Sequence, residues 1–142
     1  MSENSRAEGP QEGGKGFQEL RVWQEAMLVV EAVYRATESF PRSEAFRLTD
    51  QMCRSATSIP SNIAEGQGRR TRKEFIHYAS IARGSSAELQ TQVILAQRLG
   101  YMSAQASGEL LARLEAVSRM LWRLQEALMG KGDRKDAKPP PA

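Results

Sequence analysis

Arg69, Arg70, Arg72 and Lys73 crowd into one short stretch just ahead of a strongly helical segment. Thr71, with Glu74 three positions on, has the pattern of a helix N-cap and capping box. The cations therefore fall at the positive end of a helix, where like charge raises the local potential. An anion relieves that potential, and backbone N–H groups at a helix start suit phosphate. The expected chemistry is contact with phosphates or with an acidic protein surface. Arg54 upstream and Arg83 downstream extend the same basic stretch. Residues 42–83 hold eight Lys/Arg against four Asp/Glu, while the rest of residues 17–130 holds six against eight. The modest net charge of +3 is thus concentrated in the middle of the chain.

Other reactive residue types form no convergent set. His77 is the one histidine. A zinc site needs several ligands, and a Ser-His-Asp arrangement needs a buried acid beside the imidazole. His77 is accordingly read as a surface or rim residue. Cys53 is the one cysteine, so an internal disulfide is impossible; it reads as a half-buried packing residue in a reducing, cytoplasmic compartment. Glu74 and His77 make a single Glu-x-x-His, whereas a di-iron bundle needs two such motifs and two further Glu. Gly66-Gln67-Gly68 lacks the spacing and the Lys-Ser/Thr ending of a phosphate loop. Trp23 and Trp122 sit on apolar stripes and read as core or interface residues. The expectation is a protein without catalytic residues, metal or cofactor.

Positioning the cations requires helices. Leu20, Trp23, Met27, Val30 and Tyr34 recur at steps of three and four, with Val22, Ala26, Val29 and Val33 beside them, which predicts a helix over residues 18–38. Phe40-Pro41 ends it, because the residue before a proline is pushed out of the α region. A second helix is expected over residues 44–65, with Ser43 as N-cap and Met52, Ala56, Ile59 and Ile63 on its apolar face. Pro60 inside that pattern predicts a kink or two helices in tandem, and Gly66 and Gly68 a break. The third helix follows Thr71. It carries Phe75, Tyr78, Ala82, Ser85, Leu89, Val93, Ala96 and Leu99 to a stop at Gly100; small residues around Gly84 suggest close helix approach. The fourth runs over residues 103–130 with Leu110, Leu114, Val117, Leu121, Leu124 and Leu128 in one stripe, and Leu111, Met120, Trp122 and Met129 on a second surface.

Short connections favour antiparallel neighbours. The fold class expected is all-α, an up-down-up-down antiparallel four-helix bundle over residues 17–130, with helix two kinked near Pro60. Helices one and four show more apolar surface than one seam needs, which predicts a homo-oligomer. Residues 1–16 and 131–142 are Gly/Pro-rich and polar, and read as disordered tails. No apolar run is long enough to span a membrane.

Residues 54–66, Arg-Ser-Ala-Thr-Ser-Ile-Pro-Ser-Asn-Ile-Ala-Glu-Gly, carry a resemblance. So do Leu20, Val22, Trp23 and Ala26, then Tyr34, Phe40-Pro41 and Glu44, then Ala82-Arg83-Gly84-Ser85 with Glu88, and Leu99-Gly100-Tyr101. Over residues 17–130 the chain resembles the bacterial four-helix-bundle family encoded in intervening sequences of large-subunit ribosomal RNA genes. It is similar in fold to the accessory variability determinant proteins of diversity-generating retroelements. The resemblance implies a ring-like homopentamer with no catalytic residues. The retroelement proteins are strongly basic pentamers that bind a reverse transcriptase and nucleic acid, and +3 per chain departs from that. Pro60, Asn62, Glu65 and Gly66 fall on the family's structural motif, and Arg69 on its following basic residue. Asn62, Glu65 and Arg83 are expected to form a polar network between helices two and three.

Two functions fit. The first is an accessory protein that binds RNA or DNA, or a ribonucleoprotein partner such as a reverse transcriptase, through Arg54, Arg69, Arg70, Arg72, Lys73 and Arg83. The second is an oligomeric protein-interaction scaffold with no nucleic-acid role.

Overall fold

Apolar residues three and four apart fold into four helices in the computed structural model, which describes residues 16–130. α1 spans Arg21–Thr37, α2 Leu48–Gln67, α3 Arg72–Arg98 and α4 Ala104–Met129. Short 3-10 turns at Phe17–Glu19 and Arg42–Glu44 precede α1 and α2. Each helix packs on the next and α4 returns to α1, leaving α1/α3 and α2/α4 on the diagonals. This is the expected four-helix bundle: turns as short as residues 68–71 and 99–103 leave antiparallel neighbours as the available arrangement. The expected disordered tails, residues 1–16 and 131–142, lie outside the described residues apart from Gly16.

Each helix contributes one stripe to a common core. α2 gives Met52, Ala56, Ile59 and Ile63, and α4 gives Leu110, Leu114, Val117 and Leu121, all buried. α3 gives Ala82, Leu89, Val93 and Ala96. On α1 the two expected stripes exchange rank. Val22, Ala26, Val29 and Val33 lie deepest, Trp23 and Met27 are half-buried, and Tyr34 is 50% exposed. Small branched side chains let α1 approach the bundle closely, so the bulky stripe is displaced to its flank. Burying each larger aliphatic side chain contributes about 1.5–3 kcal/mol.

The helix ends follow local chemistry. Thr71 Oγ1 accepts the Glu74 N–H at 3.1 Å, and Ser103 Oγ accepts the Ala106 N–H at 3.0 Å. Gly100, at φ 81°, donates to Gln97 O, while Tyr101 N–H reaches Ala96 O, the two bonds of a Schellman stop.

Two boundaries differ from expectation. α2 begins at Leu48, not near residue 44, and Ser43 does not cap it. Phe40 is buried against the Tyr101 ring at 5.3 Å, and Glu44 is drawn inward, so a 3-10 turn occupies the first part of the segment. The connection over residues 38–47 is correspondingly longer than the rest. Through Pro60, α2 runs as one helix, the first of the two alternatives expected there. It also runs through Gly66, which is buried rather than a breaker. A Cβ there would stand 2.8 Å from both Phe75 Cδ1 and Tyr78 Cβ, so this glycine is what lets α3 close on α2. Gly84, expected to serve close packing, has nothing within 4 Å of its would-be Cβ.

The candidate anion-binding corner

The turn over residues 68–71 joins the end of α2 to the start of α3. Contact at Gly66 pins the two helices there, with Phe75 and Tyr78 half-buried against it. Arg69 is held down in this corner. Its guanidinium donates to Glu65 Oε2 at 3.0 Å and lies 5.2 Å from the centroid of the Tyr78 ring. Each such surface contact is worth about 0–1 kcal/mol, enough to bias a side chain toward the protein.

Arg70, Arg72 and Lys73 differ. All three are exposed, and their side chains have no hydrogen bond or ion pair among the described residues. They surround the first turn of α3, where backbone N–H groups lack helical acceptors. Glu74, the first-turn acid, is exposed as well. His77 is exposed one turn on and touches Tyr78 edge-on at 5.3 Å.

The other two cations do not join them. Arg54 stands thirteen residues before the end of α2 at Gln67, roughly 20 Å along the axis, and pairs with Asp50 at 3.0 Å. Arg83 is half-buried and turns toward α4, donating to Gln125 Oε1 at 3.1 Å. Gln125 in turn donates to Ile76 O and Ser80 Oγ. The single network expected for Asn62, Glu65 and Arg83 is therefore three separate sets. Asn62 donates to Ser58 O and Ser58 Oγ, and Ser58 meets Ser85 at 2.7 Å across α2 and α3. Glu65 pairs with Arg69. Arg83 fails to join because its position on α3 faces α4 rather than α2.

Sequence reading missed a second polar centre. Glu44 is 5% exposed; its carboxylate accepts from the Tyr101 hydroxyl at 2.9 Å, from Arg47 at 3.3 Å and from the Leu48 N–H at 3.3 Å. The Tyr101 hydroxyl chiefly holds the Glu44 carboxyl below the ordinary carboxylate range, helped by the Leu48 N–H and by Arg47 against the opposing effect of burial. The same bond, with burial and the Glu44 charge, pushes the Tyr101 phenol up. Glu44 and Tyr101 are 57 residues apart, and no local pattern announces their meeting. Elsewhere, Cys53 is half-buried with its sulfur 3.9 Å from Thr37 Oγ1. Trp23 and Trp122 are half-buried. Among the described residues no three His, Cys, Asp or Glu side chains gather, and no helix is long and apolar enough to cross a membrane.

The exposed large aliphatics are distributed otherwise than expected. Leu28 lies on α1, but α4, the other helix expected to carry surplus apolar surface, keeps Leu111, Met120 and Trp122 half-buried. α3 instead exposes Ile81, Ile94, Leu95 and Leu99 at its solvent edge. Phe46, in the turn before α2, is 95% exposed.

The family model of the 23S rRNA-intervening sequence protein matches residues 18–123. A crystal structure of a protein of unknown function from the S23 ribosomal protein family of Bacteroides thetaiotaomicron VPI-5482 is similar in fold. Its TM-score is 0.67 at 22% identity, covering 74% of this chain and 98% of that one. No curated protein matches the chain.

Proposed function

We propose that this chain, which belongs to the 23S rRNA-intervening sequence protein family, is a non-enzymatic, oligomeric accessory protein that binds nucleic acid or a ribonucleoprotein partner through the corner at the head of α3. One observation carries the reading. Arg70, Arg72 and Lys73 are exposed, unpaired within the described residues, and grouped where a helix start already favours anions. Charges kept out of ion pairs at such a place suit phosphates. Arg69 supports the corner by closing it against Tyr78, with its side chain still 40% exposed beside its neighbours.

The test is affinity for structured RNA and for single-stranded DNA, read by fluorescence anisotropy across a salt series. Binding strengthens as salt falls. The triple variant Arg70→Ala/Arg72→Ala/Lys73→Ala lowers the slope of log affinity against log salt by about 2–3, one phosphate contact per cation. An unchanged slope, or no binding at low salt, removes the proposal.

A second reading, a homo-oligomeric interaction scaffold without a nucleic-acid role, is favoured by the exposed Ile81, Ile94, Leu95 and Leu99 of α3. A homopentamer accords with the family resemblance, and assembly would repeat the basic corner around a ring. Pull-down with nuclease treatment separates the readings, since scaffold partners survive nuclease.

A further inference from the structure

Phe46 finds no place in its own chain. It stands at the entry to α2, between the buried Glu44 and the buried Leu48, and is 95% exposed. Other apolar side chains share its level. Ser58 meets Ser85, and Glu44 meets Tyr101, so α2 runs antiparallel to α3 in a register that brings Phe46 level with the stretch from Leu95 to Leu99. Leu95 and Leu99 follow Gln92 by three and seven residues. They therefore lie on the same side of α3 as Gln92, which lines a cleft with α2. Both are nearly half exposed. Several apolar side chains exposed together mark an interaction surface where a single one does not.

A groove of matching kind opens elsewhere on the bundle. α1 and α4 meet more loosely than any other pair of adjacent helices. Between them Leu28, Ala32, Ala36, Met102, Ala106 and Leu110 line a groove of about 350 Å³, with Glu31, Arg35, Glu109 and Arg113 around it. That is more than twice the roughly 150 Å³ cavity that takes a benzene ring. An apolar centre inside a charged rim is the anatomy of a protein–protein contact. Phe46 does not fill the groove of its own chain, and α2, which it leads, lies diagonal to α4.

The two features stand at one height. Ser107 donates to Gln97 Oε1 at 2.8 Å across α4 and α3. The α4 wall of the groove, which begins at Ala106, is thus level with Phe46 and the two leucines. Copies standing side by side bring the aromatic ring of one against the groove of the next, without sliding along the bundle axis.

We infer that the groove between α1 and α4 receives Phe46 of a second copy of this chain, with Leu95 and Leu99 beside the contact. The inference rests on the oligomeric part of the proposed function and names the faces that meet. The contact is heterologous, one surface of each copy against a different surface of its neighbour. The basic corner, at the far end of α3, stays open.

Light scattering of the full chain at micromolar concentration tests it. Wild type is expected at a multiple of 15.8 kDa, and Phe46→Glu and Ala106→Trp each at the single-chain mass. Both positions are exposed in the single chain, so far-UV helicity is expected to persist. Should Ala106→Trp lose helicity, Leu28→Glu, on the same groove and 43% exposed, takes its place. Each variant keeps the surface that the other lacks. An equimolar mixture is therefore expected to reach twice the chain mass, with one intact contact per pair; a contact that used the same patch on both copies would not be restored by mixing. A single-chain mass for wild type removes the oligomeric reading itself. An assembled wild type with an equally assembled Phe46→Glu, or a mixture that stays at the single-chain mass, overturns this inference and leaves that reading standing.

Discussion

Two glycines in helices are predicted to respond oppositely to the same substitution. At Gly66 an added methyl meets Phe75 and Tyr78 at 2.8 Å, and Tyr78 offers its Cβ rather than a flexible tip. α2 and α3 must then separate at their joined ends. Gly66→Ala is expected to destabilise by about 1–3 kcal/mol, as overpacking does, despite the gain in helix propensity. At Gly84 nothing stands within 4 Å, so Gly84→Ala is expected to stabilise by about 0.5–1 kcal/mol. Urea melts of both variants read the two signs. The Glu44–Tyr101 pair adds a pH dependence. The carboxyl of Glu44 is depressed in the folded chain, so its contribution is present above the unfolded value near 4.5 and is lost as pH falls through the folded one. Tyr101 is raised, so its contribution is present below the unfolded value near 10.0 and is lost as pH rises through the folded one. Tyr101→Phe should therefore lower the urea midpoint near neutrality, with the gap to wild type closing in acid and in alkali. A gap that is constant with pH would mean the ring, not the hydroxyl, matters.

At the scale of the helix, the apolar stripes of α2 and α4 were legible because each has one partner-facing side and a regular step. Leu121 sits fully buried in the α4 stripe, and Leu121→Ala is expected to cost about 2–5 kcal/mol in the same melts. A loss below half that lower figure would put α4 in another register. The start of α3 was legible for a different reason: the Thr71 cap is a contact made within four residues. The start of α2 was not. Ser43 looks like a cap by type, but burial of Phe40 and Glu44 against Tyr101 reshapes the segment. Nothing near residue 43 in the chain reports a tyrosine in the α3–α4 turn. The stripes of α1 were both seen, and their rank was settled by which one fits closer to the bundle.

For the whole molecule, the proposed assembly is tested at the outer side of α3. Ile81, Ile94, Leu95 and Leu99 are each about two-fifths to one-half exposed, a larger apolar edge than α4 presents. Light scattering at micromolar concentration is expected to give a multiple of the 15.8 kDa chain mass, and Leu95→Glu to shift the population toward monomer while the far-UV spectrum stays helical. A single-chain mass for the wild type would remove the oligomer and, with it, the idea of a repeated basic surface. The +3 charge is modest for one chain; its weight in the proposed binding would grow with the number of copies standing together.

Helix number, the core faces of α2 and α4, the cap at Thr71 and the clustering of Arg69 to Lys73 all follow from residues within a turn or two of one another. Local spacing is enough for them, since the α-helix places neighbours by a fixed step. Which cations stay free was decided only in part by the fold. Arg54 pairs with Asp50 one helical turn away, a local contact, whereas Arg83 turned to Gln125 of α4 and Arg69 onto Tyr78 of α3, leaving three of six. The unpaired oxygen of Gln92 and the buried Glu44–Tyr101 bond likewise arise where segments distant in the chain meet. Periodicity says which way a side chain points along its own helix; only packing says what it finds there.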